Sequence, residues 1–415
     1  MPAKLPRINY ADVSAVLSEI LPHFSRYGAE SGLSDDALSN AELISLISTG
    51  MHELEKAESV EGNFVAVDDR AASLLQTFLA RRALESGKTV LGQAGPEAQF
   101  DSNDVLGWAG SLFDWLKGIK KHPFITHDDD PVLINNTYRI GVLSDWGTGL
   151  YGAPVCAQSL ASDGRFDMLM HLGDVYYSGD LDEIETRFLS IWPKVDGAVS
   201  RALNSNHEMY SGGYGYFDRI LPEFNQSASY FSCQNDFWLL VALDTGYQEH
   251  DIDDAQVAWL SRLISAAGSR RVVLFSHHQP FSLFESQGGK LVKKLAKILD
   301  SSKIFAWYWG HEHRCALYSK HPVWNLYGRC IGHGGFPYFR DQFKNMSFTE
   351  PGWIERPGKN LVPSCQVLDG PNPYINKNGV KYGPNGYVVL ELNGRNLTEV
   401  VHDADGRVLR TEKLQ

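Results

Sequence analysis

Carboxylate, amide, phenol and imidazole side chains recur in five short motifs along this 415-residue chain. The motifs are Ser-Asp-Trp-Gly at 144–147, Gly-Asp-Val-Tyr-Tyr at 173–177, Asn-His-Glu at 206–208, Ser-His-His at 276–278 and Gly-His-Glu-His at 310–313. Together they offer oxygen and nitrogen donors of the kinds, and in the number, that a pair of metal ions requires. A single motif of this type occurs by chance in ordinary loops, but five in this order predict a two-metal hydrolase.

Apolar runs typical of buried strands surround these motifs, at 138–143, 168–172, 237–243, 272–275 and 304–309. Between two of the runs, apolar and amide side chains with helical spacing predict a crossover helix through Gln256, Trp259, Leu260, Leu263 and Ile264. Strands that alternate with helices predict an α/β layered domain. In such a domain the side chains that follow the strands meet at one edge of a sheet, where we expect the metal site.

Asp145 and Asp174 each follow a predicted strand. One carboxylate in such a place is usually a turn or helix-capping residue. Two of them together with Asn206 and several histidines indicate a metal site instead. A carboxylate that bridges two cations holds them about 3.5–4 Å apart, so that both polarise one phosphoryl oxygen. We assign the bridging role to Asp174.

These residues resemble the calcineurin-like metallophosphoesterases and, within them, the purple acid phosphatases. The family pattern is Asp-x-His or Asp-x-Gly, then Gly-Asp-x-x-Asp or Gly-Asp-x-x-Tyr, then Gly-Asn-His-Glu, a strand-end histidine and Gly-His-x-His. This chain has Gly147 where many relatives have a histidine, and Tyr177 three residues after Asp174. In purple acid phosphatases that tyrosine replaces the missing histidine, because its phenolate suits a ferric ion. The pairing of Gly147 with Tyr177 therefore favours this subtype.

The resemblance implies two sets of metal ligands that share one aspartate. The first ion, Fe(III), is expected on Asp145, Asp174, Tyr177 and His313. The second, a divalent iron, zinc or manganese ion, is expected on Asp174, Asn206, His277 and His311. The resemblance also implies that His207 protonates the leaving alcohol, and histidine titrates close enough to neutrality to do so.

Other residues near the motifs have weaker assignments. His277 and His278 both fit the fourth motif; His277 directly follows the strand and is the preferred ligand, whereas His278 is assigned to the substrate. Ser205 replaces the glycine of the third motif and is expected to change only the local turn. The remaining histidines near the motifs are interpreted as surface or turn residues, with His333 close enough to border the pocket: His250, His321 and His333.

The resemblance implies a phosphomonoesterase in which a metal-bound hydroxide attacks phosphorus in line and His207 acts as general acid. A phosphodiesterase acting on nucleotides or phospholipid headgroups, with the same core, is the alternative among hydrolases. A non-catalytic protein that binds phosphate ligands is the alternative from another class. Because no expected ligand is missing, the motifs favour an enzyme.

Helical periodicity without any motif characterises the first ~125 residues. The apolar positions form four stripes, which include Val13, Val16 and Leu17, then Leu43, Ile47, Met51 and Leu54, then Leu74, Leu75, Phe78 and Leu79, then Val105, Trp108, Ala109, Leu112, Leu116 and Ile119. These stripes predict an all-helical N-terminal domain or extension at 1–125. An acidic linker at 126–137 and a catalytic domain at 138–415 follow, the latter expected as a layered β-sandwich flanked by helices.

Composition excludes several classes of protein. With 43% hydrophobic and 21% charged residues the chain is ordinary for a soluble globular protein. Its net charge of -12 argues against a chain-wide basic surface for nucleic acid. The partner that the resemblance implies is a small-molecule phosphoester. The five cysteines include no C-x-x-C pair and predict no disulfide framework. No apolar leader or membrane-spanning run is recognisable, which predicts a cytoplasmic protein, with a secreted form whose leader was removed as the alternative.

Overall fold

The computed structural model describes residues 8, 10–27, 40–61, 68–85, 105–285, 288–376 and 378–415. Its α-helices are α1 (Tyr10–Tyr27), α2 (Asn40–Glu61), α3 (Arg70–Glu85), α4 (Val105–Gly118), α5 (Ala153–Asp163), α6 (Leu181–Glu183), α7 (Asn206–Tyr210), α8 (Leu221–Glu223), α9 (Asp254–Ala266) and α10 (Gly289–Leu299). Two π-helical segments, Ile184–Leu189 and Tyr216–Ile220, and two 3₁₀ turns, Arg340–Phe343 and Gly379–Lys381, complete the helical elements of these residues. None of the described helices has the length and apolarity needed to cross a membrane.

The strands alternate with the helices from residue 132 onwards. They are β1 (Val132–Leu133), β2 (Thr137–Leu143), β3 (Met168–His171), β4 (Val199–Ala202), β5 (Phe231–Gln234), β6 (Trp238–Ala242), β7 (Arg271–Ser276), β8 (Ile304–Trp309), β9 (Cys315–Tyr318), β10 (Tyr327–Ile331), β11 (Phe348–Glu350), β12 (Trp353–Arg356), β13 (Cys365–Leu368), β14 (Gly386–Asn393), β15 (Asn396–Asp403) and β16 (Val408–Leu414). The five predicted strands are confirmed within one residue at each end. The crossover helix is confirmed as α9, which Asp253 caps by accepting a hydrogen bond from the Ala255 amide.

Two sheets face each other. The larger has ten strands in the order β1-β5-β6-β7-β8-β10-β9-β13-β12-β11, and the smaller has six in the order β16-β15-β14-β2-β3-β4. Part of each sheet is parallel: β2, β3 and β4 at one end of the smaller sheet, and β6, β7, β8 and β10 in the middle of the larger one. Because parallel strands end at the same edge, the loops that follow them approach one another there.

The apolar core lies between the sheets, and helices cover both outer faces. Ile140 and Met170 of the smaller sheet belong to the same buried cluster as Leu240 and Tyr308 of the larger one. A buried ion pair also joins the sheets, with Arg329 Nε 2.9 Å from an oxygen of Glu399. The α9 and α10 helices pack outside the larger sheet, and α5 packs outside the smaller one. The predicted fold class, a layered sandwich flanked by helices, is confirmed.

Helices form the described N-terminal region, as the periodicity predicted. Its apolar stripes converge on one buried cluster that also includes Tyr177 and Phe336 of the sandwich. Polar contacts fix α3 on the sandwich, since Thr77 Oγ1 lies 2.8 Å from Ser178 Oγ and 3.0 Å from Glu183 Oε1. The helical region therefore packs directly against the loop that follows β3.

The acidic segment between the two parts is anchored to the sandwich. Arg262 of α9 forms ion pairs with Asp128 and Asp130, at 2.8 and 3.0 Å. The two-residue strand β1 lies inside the predicted linker and pairs in parallel with β5. The linker prediction missed this strand because two residues carry no periodicity that a sequence pattern can reveal.

Candidate metal centre

The predicted ligands meet where the parallel strands of both sheets end. Asp145 follows β2, Asp174 follows β3 and His277 follows β7, whereas His311 and His313 follow β8. Asn206 begins α7, just beyond β4. Side chains distant in sequence thus lie together at the shared edge of the two sheets.

One group of donors surrounds His277. Its Nε2 lies 3.2 Å from Asp174 Oδ1, 3.1 Å from Asn206 Oδ1 and 3.3 Å from His311 Nδ1. Ligands about 2.0–2.2 Å from a tetrahedral ion are roughly 3.3 Å apart, so these atoms have the spacing of a coordination shell. The other ring nitrogen of His277 lies 2.8 Å from the Leu172 carbonyl oxygen, a contact that turns Nε2 towards the group.

A second group contains Asp145, Asp174 and His313. His313 Nε2 lies 3.7 Å from Asp145 Oδ1, and this oxygen is buried without a hydrogen-bond partner. A buried carboxylate oxygen without a partner is costly unless a cation or a proton compensates it. The donor set therefore fits a metal ion, and Asp174 belongs to both groups.

The tyrosine assignment needs a correction. The phenol at this group belongs to Tyr176, whose oxygen lies 2.6 Å from His313 Nε2 and 3.3 Å from Asp174 Oδ2. The hydroxyl of Tyr177 instead accepts a hydrogen bond from the Ile8 amide at 3.0 Å. Tyr177 is turned away because its ring packs in the cluster formed with the N-terminal helices. The prediction of Tyr177 as a ligand relied on family spacing alone, which could not anticipate this packing.

A third group consists of His250, His278 and His311. His278 Nδ1 lies 2.9 Å from Thr245 Oγ1, whereas His278 Nε2 and His250 Nδ1 are buried without partners. His250 lies in a turn, as expected, and its amide donates to the Thr245 carbonyl at 3.0 Å. The expectation did not foresee that its ring centre lies 3.8 Å from that of His278. His321 is remote from these groups and stacks on Trp324.

The backbone at the centre is unusual. Asp145, Asp174, His311 and His313 have φ values of 56°, 74°, 70° and 53°, in the left-handed region that side chains other than glycine avoid. Such residues cost of order 1–3 kcal/mol each and cluster at functional sites. Gly310 permits the close approach of the β2 loop, because a Cβ there would lie 1.9 Å from Ser144 Oγ and 2.6 Å from Asp145 Oδ2.

Charged groups in the centre shift one another's pKa values. Burial of the carboxyl is the main effect that raises the pKa of Asp145, and the negative charge of Asp174 is the next; together they bring it to about 8. Burial opposes ionisation of Asp174, but His277 and His207 hold the pKa of that carboxyl well below its usual range. Burial would lower the pKa of His277, yet Asp174 raises it to about 9. In the absence of cations, histidines thus supply the positive charge that balances Asp174.

Ser205 and Glu208 support the shared aspartate. Ser205 Oγ lies 2.5 Å from Asp174 Oδ1 and also contacts Glu208, whose carboxylate accepts from the Asp174 amide at 3.3 Å. Burial, and then Asp174, raise the pKa of Glu208 to about 7. The expectation that Ser205 changes only the local turn was too narrow, because its hydroxyl contacts a ligand.

His207 is buried beside the two groups. Its Nδ1 lies 2.6 Å from the Tyr177 carbonyl oxygen and its Nε2 lies 3.2 Å from Asp68 Oδ1. Because both partners are acceptors, both ring nitrogens donate, which is the imidazolium form. Burial alone would lower the pKa of His207, but Asp174 and Asp68 raise it.

Asp68 comes from the N-terminal helical region, two residues before α3 begins. Its side chain is 37% exposed at the mouth of the centre. Burial opposes its ionisation, but His311, His207 and His313 hold the pKa of this carboxyl well below its usual range. Sequence reasoning missed Asp68 because it belongs to no motif.

The segment 138–315 matches the model of the calcineurin-like phosphoesterases. This segment belongs to the calcineurin-like phosphoesterase family. The match covers the five motifs and all the strands that supply the predicted ligands. The predicted family is confirmed, and the N-terminal helices lie outside the match.

Three solved structures resemble this calcineurin-like phosphoesterase at low identity. Purple acid phosphatase PPD1 from yellow lupin (Lupinus luteus) seeds is 14% identical with a TM-score of 0.47, over 67% of this chain and 53% of that one. GAP50, the anchor in the inner membrane complex of Plasmodium, is 12% identical with a TM-score of 0.46, over 67% and 89% of the two chains. PhoD is 12% identical with a TM-score of 0.41, over 69% and 74%.

The chain spans about half the length of the lupin enzyme, 53%. These similarities are distant and transfer no activity. No protein of curated function matches the sequence.

Proposed function

We propose that this calcineurin-like phosphoesterase is a dinuclear-metal phosphomonoesterase of the purple acid phosphatase type. The observation that carries the proposal is the position of Asp174, which belongs both to the group with Asp145 and His313 and to the group with His277 and His311. A carboxylate shared by two donor sets is what a pair of ions about 3.5–4 Å apart needs.

The two donor sets differ in chemistry, and this difference supports our proposal for the ions. The first set, with Asp145, Asp174, His313 and the phenol of Tyr176, is rich in oxygen, which suits Fe(III). The second, with Asp174, Asn206, His277 and His311, suits a divalent iron, zinc or manganese ion. When bound, the two ions would activate a water molecule and neutralise charge on the phosphoryl oxygens.

The residues of the chain then have separate roles. Asn206 presents its amide oxygen to the second ion while its Nδ2 donates to the Tyr210 hydroxyl at 2.9 Å, which fixes the orientation of the amide. His207 donates a proton to the leaving alcohol from Nε2, since Nδ1 is engaged by the Tyr177 carbonyl. Asp68 is a positioning residue, because it accepts from that same Nε2 and holds the imidazolium in place. His278 is assigned to the substrate phosphate.

Metal content, visible absorption and hydrolysis of the purified protein test the proposal together. We expect two metal ions per chain, a tyrosinate-to-iron charge-transfer band, and faster hydrolysis of p-nitrophenyl phosphate than of bis(p-nitrophenyl) phosphate. A colourless protein with only zinc or manganese would contradict the ferric assignment. Faster hydrolysis of the diester would show a phosphodiesterase, and metal binding without any hydrolysis would show a binding protein.

A matched pair of variants tests the tyrosine. Tyr176→Phe should abolish the charge-transfer band, whereas Tyr177→Phe should keep it, because only the Tyr176 hydroxyl lies at the metal groups. The reverse result would restore Tyr177 as the ligand.

A further inference from the structure

A cavity of about 130 Å³ lies beside the metal centre, between the N-terminal helical region and α7. Asn206 borders both spaces, since its Oδ1 lies 3.1 Å from His277 Nε2 and the residue also lines the cavity. Other lining side chains are Arg70, Ile119 and Lys121 from the helical region and Tyr210, Tyr247 and Glu249 from the sandwich. Because one water molecule needs only about 10–15 Å³ of such volume, the cavity has room for a phosphate or carboxylate group.

Two cations of the helical region line this cavity. Arg70 Nε donates to the Tyr210 carbonyl at 3.2 Å, and among the described residues its two terminal nitrogens have no hydrogen-bond partner. Lys121 Nζ donates to the Tyr247 carbonyl and lies 3.9 Å from the centre of the Tyr247 ring. These contacts position both cations but leave donors unused on each.

The balance of charge in the cavity favours an anion. Glu249 is the acidic side chain of the lining, against the two cations Arg70 and Lys121. Asp68 precedes Arg70 in the chain but is directed towards His207. A guanidinium with free terminal nitrogens presents paired donors to an oxyanion, and an ammonium adds a point charge.

We propose that this cavity is a subsite for a second anionic group of the substrate, held by Arg70 and Lys121 while the reacting phosphoryl group lies at the metal centre. The proposal rests on the proposed phosphoesterase function. It names the substrate class as phosphomonoesters that carry another phosphate or a carboxylate a few bonds from the scissile ester. Since the chain has a net charge of -12, a local pair of cations gives such multiply charged substrates a defined place to bind.

Binding of inorganic phosphate to the metal-free protein tests the subsite without any catalysis. Calorimetry on the full chain compares the wild type with Arg70→Gln and Lys121→Gln. The control is Lys120→Gln, because Lys120 is adjacent to Lys121 in the chain but does not line the cavity. We expect at least about tenfold weaker binding in the first two variants, since each loses a charged hydrogen bond, and wild-type affinity in the control. Equal affinity in all four proteins, or no binding by the wild type, would overturn the proposal.

Steady-state kinetics of the metal-loaded protein provide the second measurement. The ratio of kcat/KM for a sugar bisphosphate to that for the matching monophosphate should fall about tenfold in Arg70→Gln and Lys121→Gln and stay constant in Lys120→Gln. If this ratio of kcat/KM values is the same in the wild type and all variants, the subsite proposal is wrong. If no phosphoester is hydrolysed, the proposed function fails, and the calorimetric result still decides whether the cavity binds anions.

Discussion

The β-sandwich supplies the side chains of the candidate metal centre from the loops and the short helix that follow its strands. The N-terminal helical region contributes Asp68, which contacts His207 beside this centre. The ligands of the sandwich are buried and held by backbone contacts, as His277 is by the Leu172 carbonyl. Asp68, in contrast, is 37% exposed. Under the proposed function, the sandwich determines which chemistry occurs, and the helical region adjusts the proton donor and the choice of substrate.

Loss of the proton donor should have the largest effect. It tests whether the sandwich supplies the catalytic acid. In His207→Ala the leaving alcohol has no acid, so kcat should fall about 10²–10⁴-fold while both ions remain bound. Turnover and metal content measure the two effects separately. His321→Ala, which removes a ring stacked on Trp324, is the control. Undiminished turnover in His207→Ala would show that the sandwich does not supply the acid.

Binding of the second ion should depend on pH through a ligand of the sandwich. The pKa of His277 in the metal-free protein is about 9, above its ordinary value of 6.5, so below pH 9 a proton must leave before the ring can bind metal. Affinity for the second ion should therefore rise about tenfold per pH unit, or roughly a hundredfold from pH 7 to 9, through this group. Calorimetry in buffers of different ionisation enthalpy should detect the released proton. An affinity that is independent of pH would contradict the charge assigned to His277.

Removal of the charge on Asp68 should have a smaller effect. In Asp68→Asn the pKa of His207 should fall, because a carboxylate that raises it is lost. The proton donor is then lost at lower pH, so the basic limb of the kcat profile should move to lower pH. A shift of one pH unit corresponds to an activity about tenfold lower on that limb.

The control for this substitution is Asp182→Asn, which removes an exposed carboxylate that binds Arg81 at the same interface. It should leave the profile unchanged. If both variants keep the wild-type dependence of kcat on pH, the helical region does not influence the pKa of His207.

The smallest effect should come from the interface itself. Thr77→Val leaves Ser178 and Glu183 without a buried hydroxyl partner, which costs about 1–3 kcal/mol of unfolding free energy. Chemical denaturation measures this loss, and Thr186→Val, whose hydroxyl is exposed, should be nearly neutral. An unchanged stability in Thr77→Val would mean that α3 is held by apolar packing alone.

How much the sequence predicts differs between the two regions for physical reasons. The β6 and β8 strands are continuous apolar runs, which are typical of buried parallel strands, so the sequence pattern alone located them. The positions of the candidate ligands could then be predicted, because residues that follow parallel strands lie at the same edge of the sheet. Asp68 contacts His207, and Arg70 and Lys121 line the neighbouring cavity, because the N-terminal region packs on the sandwich. No short motif records this packing. His250 lies in a loop, and its position depends on the path of the chain between β6 and α9.

The two adjacent tyrosines show a further limit. Strand alternation would decide which side chain faces the centre, but Tyr176 and Tyr177 lie beyond the end of β3, where that rule no longer applies. Instead, Tyr177 packs against the N-terminal helices, and Tyr176 is the tyrosine whose hydroxyl faces the centre.

The glycine at 310 and the left-handed turns around it set conditions for anyone who transfers this centre to another protein. A designed scaffold that copies only the donor residues would place a Cβ 1.9 Å from the serine hydroxyl if residue 310 were not glycine. It would also need three loops that impose positive φ on two aspartates and two histidines. A design must therefore copy the strand ends together with the turns that follow them, because the donor residues alone do not reproduce the geometry of the centre.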